Sequence, residues 1–141
     1  AKAVLEANSA AIERCFGNGV SSAEDIVARL EAEGTEWAAG VLKMLRRMSP
    51  TSVKISLEAI QRHKPAEVTL KDAIITEYRM AQWCMREQPH SDFCEGIRAV
   101  LIDKDGKPQW DPARLEDVSE KRVAEFFQPL AAGHPRGELK L

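Results

Sequence analysis

The sequence of 141 residues predicts an all-α fold of about seven helices. Apolar residues recur three and four positions apart along most of the chain, which is the spacing of one face of a helix. No stretch shows the sustained alternation of apolar and polar residues that marks a half-buried strand. Capping residues, glycines and prolines divide the pattern into segments of helical length.

Each expected helix is justified by a start and a stop. The starts are small polar residues that can accept a hydrogen bond from a first-turn N–H group, and Pro50 stands in a first turn, where its missing N–H costs nothing. The stops are prolines, or glycines that tolerate the left-handed conformation. In chain order, helices are expected from Val4 to about Phe16, from Ser21 or Ser22 to Gly34, from about Glu36 to Met48, from Ser49 to Pro65, from Thr69 to before Pro89, from Ser91 or Asp92 through Leu101, and briefly after Ser119.

The apolar stripes of these helices supply the candidate core. No linker is long enough to divide the chain, so residues 1–141 are expected to form a single helical domain, with residues 133–141 as a flexible tail. In chain order, the stripes are Val4, Leu5 and Ile12; Ile26, Val27 and Leu30; Trp37, Val41, Leu42, Leu45 and Met48; Val53, Leu57 and Ile60; Leu70, Ile74, Tyr78, Ala81 and Met85; Phe93, Ile97, Val100 and Leu101; and Val123, Phe126 and Phe127.

Composition narrows the classes of function. Twenty Lys and Arg residues against 22 Asp and Glu give a formal charge of −2, whereas general binding to a phosphate backbone needs an excess of cations. We therefore expect no direct binding of nucleic acid. No apolar run approaches the roughly 20 residues that cross a bilayer, so no membrane partner is expected. The chain opens in a helical pattern without an initiator Met, which indicates a processed chain or a piece of a longer one.

The residues offer no self-contained active site. Cys84, His90 and Cys94 are of the types that bind zinc, but their spacing matches no zinc motif, and we expect no metal site. The odd number of cysteines, without a CxxC spacing, favours a reduced compartment. The sequence has no serine elbow between glycines and no glycine-rich phosphate loop. We therefore assign no catalytic residue.

Two acidic residues, Glu77 and Glu95, lie beside large apolar residues and are expected to be partly buried. Arg79 and Arg98 are close to them in the sequence. We expect structural ion pairs at these positions rather than acid–base work, because such pairs are the commoner reason for a partly buried carboxylate.

Two stretches of the sequence resemble one known family. The first is MSPTSVKISL at positions 48–57, which is similar to the helix-opening segment of the 3-hydroxyisobutyryl-CoA hydrolases of the crotonase (enoyl-CoA hydratase and isomerase) superfamily. The second is DFCEGIRAVLIDKD at positions 92–105, followed by Pro108, Trp110 and Pro112, which resembles the C-terminal signature of that family. The segments at positions 13–16 and 77–80 fit the same register, so the resemblance covers nearly the whole chain.

The resemblance implies a function and also a missing part. Members of the family have an N-terminal core of ββα units that supplies the oxyanion hole and the acidic catalytic residues, and nothing here corresponds to that core. The chain is therefore expected to be the C-terminal helical part of a 3-hydroxyisobutyryl-CoA hydrolase of valine breakdown, inactive alone. The implied substrate is a coenzyme A thioester, with no other cofactor. The implied location is the mitochondrial matrix or the bacterial cytoplasm.

The resemblance also implies a binding site for coenzyme A. In relatives the matching segment ends in a lysine-rich turn near the coenzyme, so Lys104 and Lys107 are the candidates for contacting its phosphates, with Phe93 or Trp110 packing nearby. A lysine ammonium is a compact charge suited to phosphate, although an exposed ion pair contributes only ~0 to 1 kcal/mol. The alternative is that both lysines are solvated turn residues.

The expected partner is a body that covers an apolar face. Aromatic residues are spread over several helices, and short helices cannot hide so much apolar surface among themselves. The resemblance implies that the missing core covers this face. The alternatives are another protein, or a second copy of the chain in a homo-oligomer. A second hypothesis is a non-catalytic structural subunit, because some mitochondrial ribosomes carry a subunit that resembles this family. The acidity of the chain is unfavourable for direct contact with RNA.

Overall fold

The computed structural model describes residues 3–86 and 91–140, and all regular structure within these ranges is helical. The predicted all-α class is therefore confirmed for this part of the chain, in which no helix is long and apolar enough to cross a bilayer. A π-helical turn, Arg98–Ile102, continues α7, and a 3-10 turn, Leu115–Asp117, precedes α8. The α-helices are α1 Val4–Ala7, α2 Ser9–Phe16, α3 Ala23–Glu33, α4 Glu36–Leu45, α5 Pro50–His63, α6 Leu70–Cys84, α7 Asp92–Ile97 and α8 Glu120–Glu125.

The described residues form eight α-helices, where the sequence predicts about seven. The additional helix arises at Asn8, whose backbone has φ −111° and ψ 11°. Its side-chain amide donates a hydrogen bond to the carbonyl oxygen of Val4 at 2.8 Å. An asparagine that bonds its local backbone competes with the hydrogen bonds of a helix, so the single helix predicted up to Phe16 is divided into α1 and α2.

Five of the predicted helix starts are confirmed by their caps. In each, a serine or threonine side chain accepts a hydrogen bond from the backbone N–H group three residues later, which satisfies a donor that the helix leaves free. Thr35 caps α4 in the same way, and Gly34 ends α3 with a left-handed φ of 63°. The predicted caps are Ser22, Ser49, Thr69, Ser91 and Ser119.

Contacts within the chain divide it into two compact units, Ala1–Met48 and Ser49–Leu141. The expectation of a single domain stays a prediction. In the first unit, α2 and α3 are joined by an ion pair between Arg14 and Glu33, with 2.7 Å between the nitrogen and the oxygen. The buried apolar residues of this unit are Ala11, Cys15, Ala23, Ile26, Leu30, Ala38 and Leu42.

The second unit has its core between α5 and α8. Ile55, Ala59, Phe126 and Phe127 are buried there, with Met80, Trp83, Cys84 and Val123 packed against them. Two hydrogen bonds to carbonyl oxygens add to this packing: the ammonium of Lys54 donates to Val118 at 3.0 Å, and the indole N–H of Trp83 donates to Gln128 at 3.1 Å.

The end of the chain makes contacts with α6. The hydroxyl of Tyr78 donates to the carbonyl oxygen of Gly137 at 3.1 Å, and Arg79 pairs with Glu138 at 2.9 Å. The backbone N–H of Leu130 also donates to the Glu138 carboxylate, and this bond, with the Arg79 pair, holds the pKa of Glu138 below its ordinary value. The flexibility expected for residues 133–141 stays a prediction, but these contacts tie part of that segment to α6.

Replacing Leu30 by Ala should lower the free energy of unfolding of the chain by about 2 to 5 kcal/mol, because the substitution opens a cavity in the core. Leu30 is 1% exposed. Leu5→Ala is the matched control, since Leu5 is 73% exposed and its loss should cost less than about 0.5 kcal/mol. Urea denaturation followed by circular dichroism measures both changes, and equal effects would contradict the burial of Leu30.

Candidate functional site

The candidate site is built on α7, which is held in place from its N-terminal end. The hydroxyl of Ser91 donates to the carbonyl oxygen of Cys84 at 2.7 Å, which anchors the start of α7 to the end of α6. The hydroxyl of Ser49, at the start of α5, donates to the carboxylate of Asp92. Both bonds hold the N-terminal end of α7, which is thereby placed relative to α5 and α6.

Arg98 joins the end of α7 to the turn of residues 103–107. Its Nε and Nη2 donate to the carboxylate of Glu95 at 2.9 and 2.8 Å. Its Nη1 donates to Asp103 at 2.6 Å and to Asp105 at 2.8 Å. Nη2 also lies 3.3 Å from the carbonyl oxygen of Lys107. The predicted ion pair between Glu95 and Arg98 is confirmed, and the two aspartates join it.

The backbone of this turn is shaped by two hydrogen bonds and two left-handed residues. The N–H of Asp103 donates to the carbonyl of Arg98 at 2.8 Å, five residues back, as in a π-helix, and the N–H of Gly106 donates to Ala99 at 3.0 Å. Lys104 and Gly106 have φ values of 55° and 62°. Left-handed φ is unfavourable for a residue with a side chain, so the surrounding contacts must hold Lys104 in that conformation.

The chain that leaves the turn runs beside α7. Alternate backbone N–H groups in residues 107–111 each donate to a carboxylate, so three donors of this segment are satisfied without a neighbouring strand. These bonds run from Lys107 to Asp105 at 2.8 Å, from Gln109 to Glu95 at 2.7 Å and from Asp111 to Asp92 at 3.1 Å.

The four residues that sequence analysis assigns to coenzyme A lie on α7 or on the chain that follows it. Lys104 and Lys107 are exposed on the turn, and Phe93 is 50% exposed on α7. Trp110 is half-buried, and its ring lies over Gly96, where a Cβ atom would be 3.5 Å from the nearest ring carbon. The aromatic candidates therefore border α7, and the lysines project from the turn beyond it.

The carboxylates of the turn pair with Arg98, and no ion pair with the two lysines is recorded among the described residues. Arg98 holds the pKa of Asp105 below its ordinary value, helped by the N–H of Lys107, and its own pKa is raised, chiefly by its hydrogen bonds with Glu95. Within the described residues the structure records no ion pair for the ammonium of Lys104 or Lys107. The carboxylates are thus engaged by the arginine, and the lysines remain available to an anionic ligand.

An apolar face continues from α7 into the π-helical turn. Val100, Leu101 and Ile102 are 63%, 65% and 69% exposed, and Phe93 and Ile97 line the same open groove. The sequence predicts a core stripe through Val100 and Leu101, and this prediction is wrong. The reason is that the π-helical turn packs inward through Ala99, which is 0% exposed, and leaves its larger side chains outside.

The other candidates of the sequence form no site. Cys84 and Cys94 are free thiols, and burial raises the pKa of Cys84. His90 and Pro89 lie outside the described residues. Among residues 3–86 and 91–140, no group of His, Cys, Asp and Glu side chains is arranged to hold a metal ion. Sequence reasoning paired Arg98 with Glu95 alone and missed its bonds with Asp103 and Asp105, although four acidic residues within seven positions of Arg98 were a readable signal.

Comparison with known proteins agrees with the resemblance seen in the sequence. Residues 1–127 match the enoyl-CoA hydratase/isomerase family. The mitochondrial 3-hydroxyisobutyryl-CoA hydrolase of Gallus gallus is 42% identical over 127 residues, which are 90% of this chain and 31% of that protein. The human protein of the same name is 39% identical over 129 residues, 92% of this chain and 32% of that protein. The chain spans about a third of the length of these relatives.

Two solved structures share the fold. An enoyl-CoA hydratase from Rhodobacter sphaeroides 2.4.1 superposes with a TM-score of 0.79 at 38% identity, covering 92% of this chain and 36% of that one. A carnitinyl-CoA dehydratase from Mycobacterium thermoresistibile gives a TM-score of 0.80 at 27% identity, covering 94% of this chain and 36% of that one. The helical arrangement described above therefore recurs as about a third of larger proteins.

Proposed function

Because the chain belongs to the enoyl-CoA hydratase/isomerase family, we propose that it is the helical C-terminal part of a 3-hydroxyisobutyryl-CoA hydrolase. The observation that carries the proposal is the identity of 42% and 39% to two proteins of that name. The reaction is hydrolysis: water replaces the coenzyme A sulfur at the thioester carbonyl, giving 3-hydroxyisobutyrate and the free thiol. The proposed role of the protein is accordingly in valine breakdown. The names of both relatives support a mitochondrial location. Our proposal within the mitochondrion is the matrix, with the bacterial cytoplasm as the counterpart for a bacterial source.

The groups that break the thioester are proposed to lie outside these residues. The carboxylates nearest the candidate site are engaged, Glu95 and Asp105 by Arg98 and by backbone N–H groups, and Asp92 by Ser49 and Asp111. Each of these carboxylates therefore already has a structural role in holding α7 and the segment that follows it. A partner body would supply the oxyanion hole, whose N–H donors stabilise the tetrahedral intermediate.

These residues would then bind the nucleotide end of the substrate. Lys104 and Lys107 would contact the phosphates of coenzyme A, for which a compact ammonium charge is well suited. Phe93 and Trp110 would pack beside the nucleotide. The exposure of both ammonium groups, their lack of ion pairs in the described residues and their position on one short turn support this assignment.

The apolar face of α7 and the π-helical turn is proposed to be covered in the complete protein. Exposed apolar side chains that adjoin one another usually mark a contact surface. The N-terminal core of the hydrolase is the proposed occupant, and a second copy of the chain in a homo-oligomer is the alternative. The ribosomal hypothesis has no support from the relatives, since those reported above are named as hydrolases.

The complete polypeptide that carries these residues should hydrolyse 3-hydroxyisobutyryl-CoA, and the 141 residues alone should not. The physical reason is that the oxyanion donors are supplied by the partner body. Release of free coenzyme A, followed with a thiol reagent, measures both. Turnover by the isolated residues would contradict the proposal, as would an inactive complete polypeptide that sediments with ribosomes.

Replacing Lys104 or Lys107 by Ala in the complete polypeptide should raise the KM for 3-hydroxyisobutyryl-CoA about two- to five-fold and leave kcat unchanged. Each variant loses one exposed ion pair worth up to ~1 kcal/mol, and the contact is made equally in the ground and transition states. Lys121→Ala is the control, because Lys121 is an exposed lysine of α8. An unchanged KM in both variants would remove the turn from the binding site.

A further inference from the structure

The side chain of Arg98 donates five hydrogen bonds within the candidate site. Contact with a phosphate does not explain these bonds. All three of its guanidinium nitrogens donate to carboxylates of the chain itself, at distances from 2.6 to 2.9 Å. Its side chain is 32% exposed, so it is neither a core residue nor a freely solvated one. A cation saturated by its own chain has little capacity left for a ligand.

We propose that Arg98 is a positioning residue for the phosphates of coenzyme A. It binds the carboxylates that would otherwise neutralise Lys104 and Lys107, and it holds the turn in the shape that presents both lysines. The inference rests on the proposed function of the turn, and it adds a residue that does not itself contact the substrate.

The arrangement of charges supports the first part of the proposal, that Arg98 binds the carboxylates that would otherwise neutralise the lysines. Asp103 and Asp105 flank Lys104 in the sequence, and Asp105 lies two residues before Lys107. Carboxylates this close would pair with the ammonium groups and compete with phosphate. In the structure both aspartates turn to Nη1 of Arg98 instead, at 2.6 and 2.8 Å.

The planar fork of the guanidinium makes this sharing possible. Nε and Nη2 donate to Glu95 within α7, while Nη1 donates to the two aspartates of the turn. A lysine at position 98 would keep the charge but would lack the fixed set of donors that reaches both groups at once. Arg98→Lys should therefore restore little of what Arg98→Gln removes.

The backbone contacts support the second part of the proposal, that Arg98 holds the shape of the turn. Nη2 of Arg98 reaches the carbonyl oxygen of Lys107, and the N–H of Gly106 donates to Ala99, so the far side of the turn is tied to the π-helical turn. Lys104 lies between these ties with a left-handed φ of 55°. Without Arg98 this unfavourable conformation loses much of its support, and the two lysines lose their fixed separation.

The test compares two substrates in the complete polypeptide. One is 3-hydroxyisobutyryl-CoA, and the other is the N-acetylcysteamine thioester of the same acid, which has no nucleotide and no phosphate. Arg98→Gln should raise the KM for the coenzyme A thioester about three- to ten-fold, more than either lysine variant, with kcat unchanged. Its kinetics on the short thioester should equal those of the unmodified protein.

A compensating variant separates the role of charge from that of folding. Arg98→Gln combined with Asp103→Asn and Asp105→Asn removes the competing carboxylates and should recover at least half of the lost affinity. Arg114→Gln is the matched control, because Arg114 is an exposed arginine whose pair with Asp117, at 3.0 Å, is outside the turn. It should leave the KM for both substrates unchanged.

The outcomes distinguish this inference from the proposed function. If the lysine variants raise the KM and Arg98→Gln does not, the role of Arg98 is wrong and the binding site stands. If neither lysine variant changes the KM, the binding site fails and the inference fails with it. If Arg98→Gln lowers kcat on both substrates, or if the compensating variant recovers nothing, Arg98 is structural and the inference is overturned.

Discussion

The sharing of one guanidinium among three carboxylates is the interaction on which the candidate site depends. Glu95 lies within α7, whereas Asp103 and Asp105 belong to the turn, so Arg98 fixes the position of the turn relative to the helix. A single exposed ion pair contributes little to stability, but a bidentate arginine in a network can define geometry. The consequence is an asymmetry of charge in which the carboxylates pair with Arg98, and no ion pair of the lysine ammonium groups is recorded among the described residues.

Most helix starts were predictable, because they follow from local chemistry. A serine or threonine before a run of helix formers caps it whatever the rest of the fold does, as Ser49 and Thr69 illustrate. The candidate lysines are exposed on the turn after α7, and their binding of coenzyme A stays a proposal. The ion pair between Glu95 and Arg98 was also predictable, since three residues on a helix separate them.

The features that escaped prediction depend on packing or on unusual backbone geometry. The π-helical turn widens the helix by one residue, so Val100 and Leu101 leave the face on which a regular helix would bury them. The same widening brings Asp103 back to Arg98, five residues away, where no regular helical spacing would pair them. Propensity and periodicity carry no information about such a turn.

The most direct test of this account is the pKa of Asp105, measured by NMR from the pH dependence of its carboxyl carbon shift. Arg98 favours the charged carboxylate, so the folded-state pKa should lie below the ordinary value of about 3.9. At a pH above the ordinary pKa, the contact therefore contributes its full stabilisation to the turn. This contribution is lost as the pH falls through the lowered pKa of the folded state. Arg98→Gln should move the titration midpoint upward toward the ordinary value. The same midpoint in both proteins would contradict the account.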